Sequence, residues 1–271
     1  MGESYIDWED AFANADYIAD GASYPARWAK QASAFRTTPS AQLDIAYGEQ
    51  PREKFDLFLP ASTPRGLVVF VHGGYWLKFD KSTWSHLASG PVSLGWAVAM
   101  PSYTLAPEAS LPEMTQQIGR AIEEASRLVD GPIRLAGHSA GGHLVTRMVC
   151  QDGPLTPSTA NRIERVISIS GLHDLRPLQH HSMNSMLALT PGTTASESSA
   201  LNEPLSHVAV TAWVGAMERP EFLRQSALLA EAWTRKGVKT PLVADPNKHH
   251  FDVIDGLTDA NHPLSQALAG R

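Results

Sequence analysis

The segment 137–141, GHSAG, has the spacing G-x-S-x-G and stands between an apolar stretch and a helix-forming one. In this strand–turn–helix context the motif is typical of a nucleophile elbow, a sharp turn that lifts a serine hydroxyl out of a sheet. Gly137 and Gly141 suit such a turn because side chains there would collide with the neighbouring strand and helix. Ser139 is therefore predicted to be a nucleophile, with the N-terminus of the following helix beneath it.

A glycine turn after an earlier apolar segment is the candidate partner of this serine. A nucleophilic serine needs hydrogen-bond donors for the negative charge that develops on the substrate oxygen. The backbone amides of Gly73 and Gly74, together with that of Ala140 directly after the serine, are predicted to form this oxyanion hole. Tyr75 and Trp76 follow the two glycines and are predicted to wall the substrate pocket.

A serine hydroxyl also needs a base, which in this motif is oriented by an acid, in the chain order Ser, then Asp or Glu, then His. Glu218 comes just after one predicted strand, and His249 and His250 come just after the last one. Both positions lie at the edge of the sheet where Ser139 emerges, so the three side chains can converge. Asp174, which follows another predicted strand, is the rival for the acid.

The histidine pair 249–250 has a second interpretation, as a metal site. Adjacent histidines on a loop rarely point the same way, and no third ligand of suitable spacing accompanies them, so no metal is predicted. Cys150 is the only cysteine, which excludes an intramolecular disulfide and a cysteine-rich metal site. We expect it to be a small buried hydrophobic residue.

Composition excludes several classes of partner. A net charge of -6 without a basic stripe argues against nucleic acid. No apolar run approaches the roughly 20 residues of a membrane-spanning helix. The first residues are acidic and aromatic, whereas a signal peptide is basic and then apolar, so a cytoplasmic protein is expected. The expected partner is a small-molecule substrate, and a homo-oligomer is compatible with the composition.

The elements that must position these residues follow from the hydrophobic pattern. Short apolar segments with little alternation are predicted strands, buried on both faces: 67–74, 96–103, 133–139, 165–171, 208–215 and the weaker 240–246. Segments with apolar residues at helical spacing lie between them, at 111–129 and 220–237. The alternation predicts the α/β class, with a mainly parallel sheet and helices on both faces. The alternating pair 41–48 and 53–60 predicts an antiparallel hairpin at one edge.

Two segments do not fit this layered pattern. The first 40 residues are rich in aromatics and are expected to form helices packed across the domain: Tyr5, Trp8, Phe12, Tyr17, Tyr24, Trp28 and Phe35. Segment 176–204 is a polar, methionine-containing insertion between two strands and is expected to carry one or two short helices that cover the site. We predict one domain over 1–271, with a helical segment at 1–40 and a cap-like insertion at 176–204.

With the glycine turn, the elbow, the acid and the terminal histidine in order, the chain resembles the α/β-hydrolase superfamily along most of its length. The segment HGGYW is similar to the corresponding turn of animal and fungal kynurenine formamidases, and so are GHSAGGHL, SGLHDLRPL and PEFLRQS. The segment YTLAPE resembles the hormone-sensitive-lipase-like esterases. Glu218 departs from the formamidases, which mostly carry Asp at this position.

The resemblance implies hydrolysis through an acyl-enzyme. Ser139 would attack a carbonyl, His250, the residue that aligns with the family's histidine, would accept and return the proton, and Glu218 would orient it. No cofactor is required. The implied substrates are small aryl formamides such as N-formylkynurenine, or short-chain aryl and alkyl esters.

Two alternatives remain at this level. One is a general carboxylesterase without formamidase activity. The other is a non-catalytic ligand-binding protein on a hydrolase fold, which is weakened because no position of the Ser, acid and His set is empty.

Overall fold

Eight strands form one mainly parallel sheet in the residues that the computed structural model describes, 6–38 and 40–270. The strands are β1 Ala41–Ala46, β2 Lys54–Phe58, β3 Leu67–Val71, β4 Ala97–Pro101, β5 Ile133–His138, β6 Ile163–Ile169, β7 Ala209–Gly215 and β8 Leu242–Asp245. Their order across the sheet is β1-β2-β4-β3-β5-β6-β7-β8. The pairs β1–β2 and β2–β4 are antiparallel and the others are parallel. The predicted parallel sheet with an antiparallel hairpin at one edge is confirmed.

Helices cover both faces of this sheet. The α-helices of the described chain are α1 Trp8–Phe12, α2 Tyr24–Phe35, α3 Ser89–Ser93, α4 Leu111–Leu128, α5 Ala140–Arg147, α6 Pro157–Ala160, α7 Asn184–Leu187, α8 Pro191–Glu197, α9 Pro220–Arg235 and α10 Pro263–Ala269. Shorter 3₁₀ turns are Ala15–Tyr17, Gly21–Ser23, Lys81–Thr83, Ser85–Ala88, Arg176–His180, Ser199–Leu201 and Val253–Thr258. None of these helices has the length and apolar character that crossing a membrane requires.

The central strands are apolar throughout because both of their faces are covered. Along β3, Leu67, Val69 and Val71 belong to the core on one side of the sheet, with α4, α5 and α9. Val68 and Phe70 belong to the core on the other side, with α2 and α10. Successive side chains on a strand point to opposite faces, so a strand between two helix layers shows no polar alternation.

The N-terminal segment carries helices α1 and α2, and Tyr5 lies outside the described residues. Tyr24 and Trp28 of α2 are buried, and the Trp28 ring lies 4.5 Å from the ring of Trp84. The same indole meets Phe251 edge-on at 5.3 Å, close to the end of the chain. Aromatic contacts therefore hold the first helices against loops that follow β3 and β8.

A buried ion cluster ties α2 to the hairpin. Asp56 on β2 is completely buried and accepts hydrogen bonds from Arg36, at the end of α2, and from Lys81 at 2.7 Å. Lys81 also contacts Asp44 of β1 at 2.7 Å. Because Asp56 is the buried anion shared by two cations, it determines the position of the α2 end relative to the sheet.

The turn after β5 is an elbow whose geometry excludes side chains on both sides of Ser139. Ser139 has φ 55° and ψ -117°, a strained conformation for a residue with a side chain. A Cβ atom at Gly137 would lie 2.1 Å from the carbonyl oxygen of Gly141, and one at Gly141 would lie 2.0 Å from that of Val71. The two glycines of the motif are therefore required by backbone crossings rather than by flexibility.

The ion cluster predicts the effect of removing its central charge. Asp56→Asn should lower the free energy of unfolding by about 3–5 kcal/mol, because two cations then lose their buried partner. The matched change Asp44→Asn should cost less than about 1 kcal/mol, since the Asp44 side chain is 58% exposed. Urea unfolding of both variants measures the difference. Equal losses would show that the cluster does not anchor the helix.

The elbow predicts an asymmetry between two glycine substitutions. Gly141→Ala should destabilise the protein by more than about 4 kcal/mol or prevent folding, because β3 and α5 would have to separate. Gly192 lies in helix α8, and a Cβ atom there would be 3.7 Å from its nearest neighbour, the Thr190 hydroxyl oxygen. Gly192→Ala should therefore be neutral or stabilising by up to about 1 kcal/mol. Thermal unfolding distinguishes the two, and a stable Gly141→Ala protein would contradict the close crossing.

Candidate active site

Three loops at the carboxyl edge of the sheet bring Ser139, Glu218 and His250 together. They follow β5, β7 and β8, respectively. Ser139 and His250 line a cavity of about 600 Å³, and Glu218 lies behind the imidazole. Because parallel strands end at the same edge, residues 139, 218 and 250 meet there despite their separation in sequence.

The contact between Glu218 and His250 is the best-defined polar interaction of the site. The imidazole Nδ1 donates to Glu218 Oε2 at 2.6 Å, and the carboxylate side chain is completely buried. The other carboxylate oxygen accepts hydrogen bonds from the Gly215 amide at 2.8 Å and from the Ser170 hydroxyl. Three donors thus hold the carboxylate. Since Nδ1 carries the proton of this bond, Nε2 is the nitrogen that remains to accept a proton.

Ser139 and His250 share the cavity without a hydrogen bond between them in the described chain. Ser139 is 2% exposed. Hydrogen bonds of this kind often form only in the complex with substrate. The missing bond therefore does not exclude proton transfer between Ser139 and His250.

The glycine turn lies directly against the serine. A Cβ atom at Gly73 would be 3.0 Å from the Ser139 Cβ, and Gly74, with φ 114°, lines the cavity. Among the residues described, the amides of Gly73, Gly74 and Ala140 donate to no acceptor. Ala140 is the first residue of α5. These three amides therefore keep their hydrogen-bonding capacity within the described chain.

His72 supports the backbone of the glycine turn. Its Nδ1 lies 2.8 Å from the Gly73 carbonyl oxygen, and its ring stacks on Tyr103 with the centroids 4.6 Å apart. Burial lowers the pKa of His72 to about 4, so the imidazole is neutral near pH 7. A neutral, stacked imidazole supports the backbone of the turn.

The two aromatic residues after the glycines have different surroundings. Tyr75 lines the cavity, and burial raises the pKa of its phenol. Trp76 does not line it, contrary to the prediction, and is completely buried against His143 with the ring centroids 5.3 Å apart. Both residues have positive φ, 53° and 60°. In so tight a turn adjacent side chains diverge, and only one of them reaches the cavity.

The alternatives for acid and base have other partners. Asp174 receives two hydrogen bonds from the Arg176 guanidinium, at 2.8 and 2.9 Å, and does not contact His250. His249 lies 3.1 Å from the Tyr24 hydroxyl and 3.0 Å from Asp252. Neither residue lines the cavity of Ser139. Within ranges 6–38 and 40–270, no three His, Cys, Asp or Glu side chains are grouped as a metal site would require.

Much of the cavity wall comes from segments outside the two glycine motifs, among them the insertion that was expected to cover the site. The N-terminal segment and the insertion both contribute, together with aromatic residues of the β3 and β8 loops: Glu9, Phe12, Ala13, Asn14, Ala15, Asp16, Gly21, Ala22, Pro25, Trp28, Phe79, Trp84, His181, Met183 and Phe251. The aromatic content of residues 1–40 was the available signal. Nothing in the sequence singled out Asn14, or Ser170 behind the carboxylate.

One carboxylate joins the two covering segments. Glu9 on α1 accepts hydrogen bonds from the backbone amide and, at 2.8 Å, from the hydroxyl of Ser182 in the insertion. His181, next to it, lies 3.3 Å from the same carboxylate. The N-terminal segment and the insertion, which both line the cavity, therefore contact each other.

Comparison with known proteins agrees with this architecture. The family model BD-FAE matches residues 55–214. The chain is 30% identical to kynurenine formamidase of Salmo salar over 238 residues, which are 83% of this chain and 80% of that protein. Esterase B of Lactobacillus rhamnosis has the same fold, with a TM-score of 0.72 and 19% identity over 96% of this chain and 91% of that one.

A nearer structural relative is a Silicibacter sp. TM1040 protein that is provisionally assigned as a thioesterase. Its crystal structure has a TM-score of 0.92 and 48% identity, covering 97% of this chain and 99% of that one. The family model covers more than half of the chain, and the esterase neighbours share its fold. The chain therefore belongs to the BD-FAE family, within the α/β-hydrolase fold.

Proposed function

We propose that this hydrolase of the formamidase and esterase class uses Ser139 as its nucleophile and cleaves a small aryl formamide or a short-chain carboxylic ester through an acyl-enzyme. The observation that carries the proposal is the buried hydrogen bond from His250 Nδ1 to Glu218, beside a cavity that contains Ser139 on a strained turn. It supplies the oriented base that a serine hydroxyl needs.

The proposed reaction has two steps. His250 Nε2 takes the proton of Ser139 as the hydroxyl oxygen bonds to the carbonyl carbon, and the same proton is then given to the leaving amine or alcohol as its bond to that carbon breaks. An acyl-serine results. Water, deprotonated by His250, attacks this ester and releases the carboxylic acid, and the serine regains its proton. Glu218 stabilises the imidazolium that forms in each step.

The glycine turn supplies the second part of the chemistry. The amides of Gly73, Gly74 and Ala140 would donate to the oxyanion of each tetrahedral intermediate. Gly73 permits this because its missing side chain leaves space next to Ser139. The mechanism uses only groups of the chain and water, and no cofactor takes part.

The cavity supports an aryl substrate. Its wall is largely apolar and aromatic, with Phe12, Trp28, Trp84 and Phe251 among the lining residues. A volume of about 600 Å³ is in the range of small-molecule sites. The kynurenine formamidase relatives favour a formamide such as N-formylkynurenine, and the esterase neighbours favour an ester. The alternative is a general carboxylesterase without formamidase activity.

We further propose that the chain acts as one domain in which segment 1–40 and insertion 176–204 cover the site. Residues of both line the same cavity, and Glu9 accepts hydrogen bonds from Ser182. Substrate selection would then depend on segments outside the motifs.

Ser139→Ala tests the nucleophile. Turnover of N-formylkynurenine and of p-nitrophenyl acetate should fall by about 10⁴-fold or more, because the acyl-enzyme can no longer form. The melting temperature should stay within a few degrees of wild type, since the hydroxyl contributes little packing. A fluorophosphonate probe should label wild type alone. An active or labelled Ser139→Ala protein contradicts the mechanism, and an inactive, unlabelled wild type favours a binding protein.

A second set of variants tests the acid and the base against their neighbours. Glu218→Gln and His250→Ala should lower turnover severely, by up to about 10⁴-fold, as loss of the acid's charge does in serine proteases. Asp174→Asn and His249→Ala should retain most of the turnover because neither residue lines the cavity. The measurement is the turnover number at saturating substrate. A near wild-type Glu218→Gln beside an inactive Asp174→Asn would reassign the acid.

A further inference from the structure

Asn14 belongs to the cavity wall and carries a buried hydrogen-bond acceptor without a partner in the described chain. The residue is 5% exposed and lines the cavity of Ser139. Its Nδ2 donates to the Tyr75 hydroxyl at 3.0 Å. Its Oδ1 is buried and has no partner in the described chain. A buried carbonyl oxygen without a donor is unfavourable, which points to a donor that comes with a ligand.

The orientation of this amide is determined by its neighbours. The Tyr75 hydroxyl donates its single proton to the carbonyl oxygen of Phe12. It can therefore only accept from Asn14, and only the amide nitrogen of Asn14 has protons to give. Oδ1 is thus the atom left over, so the unpartnered group is an acceptor.

Asn14 also lies next to the base. Besides the main cavity, it lines a smaller one of about 220 Å³ together with Glu218 and His250. Its partner Tyr75 directly follows Gly74 of the glycine turn. Asn14 thus lines cavities that also contain Gly74 of the proposed oxyanion site and the histidine that would protonate the leaving group.

The cavity wall has two other polar atoms without partners in the described chain, and both have close packing around them. His138 Nδ1 would be 3.2 Å from a Cβ at Gly73, against the turn. Trp84, whose Nε1 is unpartnered, packs between the rings of Trp28 at 4.5 Å and Phe79 at 5.6 Å. Asn14 and His250 are the polar side chains that line both cavities, and of these two only Asn14 has an unpartnered side-chain atom in the described chain.

We propose that Asn14 Oδ1 accepts a hydrogen bond from the N–H group beside the scissile carbonyl, so that the site prefers amides over esters with the same acyl and aryl groups. This inference rests on the proposed function. An ester oxygen in the same place has no proton to donate and leaves Oδ1 unpaired. Sites built to pair with an N–H group discriminate strongly against analogues that lack it.

The same hydrogen bond would assist cleavage. In the tetrahedral intermediate of an amide, the nitrogen must receive a proton from His250 before it leaves. If Asn14 holds the existing N–H, the nitrogen lone pair is directed away from Asn14 and can meet the imidazolium. Asn14 is therefore a positioning residue for the leaving group.

Equilibrium binding to the Ser139→Ala protein tests the inference without turnover. By titration calorimetry, acetanilide should bind at least about 10-fold more tightly than phenyl acetate, in which oxygen replaces N–H. Adding Asn14→Ala should bring this ratio close to one. Adding Met183→Ala instead, which removes an apolar part of the wall, should weaken both ligands and preserve the ratio.

Other outcomes separate the possibilities. A ratio that survives Asn14→Ala, or no preference in the parent protein, overturns the inference and makes Asn14 a brace for Tyr75. If Asn14→Ala does not fold, Asn14→Asp, which keeps an acceptor at the position, should retain the anilide preference, and its loss would count equally against the proposal. Failure of both ligands to bind also overturns it.

The proposed function is tested separately. Wild type that turns over neither ligand, while Ser139→Ala still binds the anilide preferentially, would refute the hydrolase mechanism and leave the role of Asn14 standing. If the wild type is active and Asn14→Ala reduces kcat/KM equally for amide and ester, the hydrolase mechanism stands and the role of Asn14 is overturned.

Discussion

The site depends on the close crossing of two backbone segments at Gly141. Its Cα lies so near the carbonyl oxygen of Val71 that a side chain carbon would be 2.0 Å from it. This contact joins the end of β3, which leads into the glycine turn, to the start of α5, which follows the serine. Ser139 is held in its strained conformation because the chain on both sides has no room to relax. The elbow and the turn are thus one packed unit.

The negative charge of the site, on the Glu218 carboxylate, is also held in a fixed position. Glu218 is buried, so its carboxylate needs hydrogen bonds, and it receives them from Gly215, Ser170 and His250. Ser170 is placed for this by its own left-handed backbone, with φ 52°, at the end of β6. A glutamate side chain is one methylene longer than an aspartate and has one more rotatable bond. Two donors besides the imidazole compensate by restricting that extra freedom.

The N-terminal segment is packed on the core and also forms part of the cavity wall. Its aromatic residues pack on loops of the core, and Arg36 anchors its end to the buried Asp56. The same segment supplies Phe12 and Asn14 to the cavity wall. Because core packing and an ion cluster hold the N-terminal segment, its polar atoms keep defined positions at the cavity. A loosely attached segment could not do this.

Local patterns in the sequence were sufficient for most of the fold. The strands from β3 to β8, the hairpin and helices α4 and α9 lie within one to three residues of their predicted ranges, because apolar periodicity reflects burial on one or both faces. The elbow was recognisable since its glycines are a local steric requirement. The order of Ser139, Glu218 and His250 followed from the order of strands whose ends share one edge.

Contacts between distant segments decided the rest. Sequence alone left both Asp174 and His249 as alternatives, and their engagement by Arg176 and by Tyr24 became visible only in three dimensions. The burial of Trp76 and the alignment of Asn14 with Tyr75, 61 residues away, depend likewise on which chain segments pack together. Residue type and spacing determined which groups are capable of the chemistry. Long-range packing determined which of them meet, because partners in a folded chain are chosen by space and not by sequence separation.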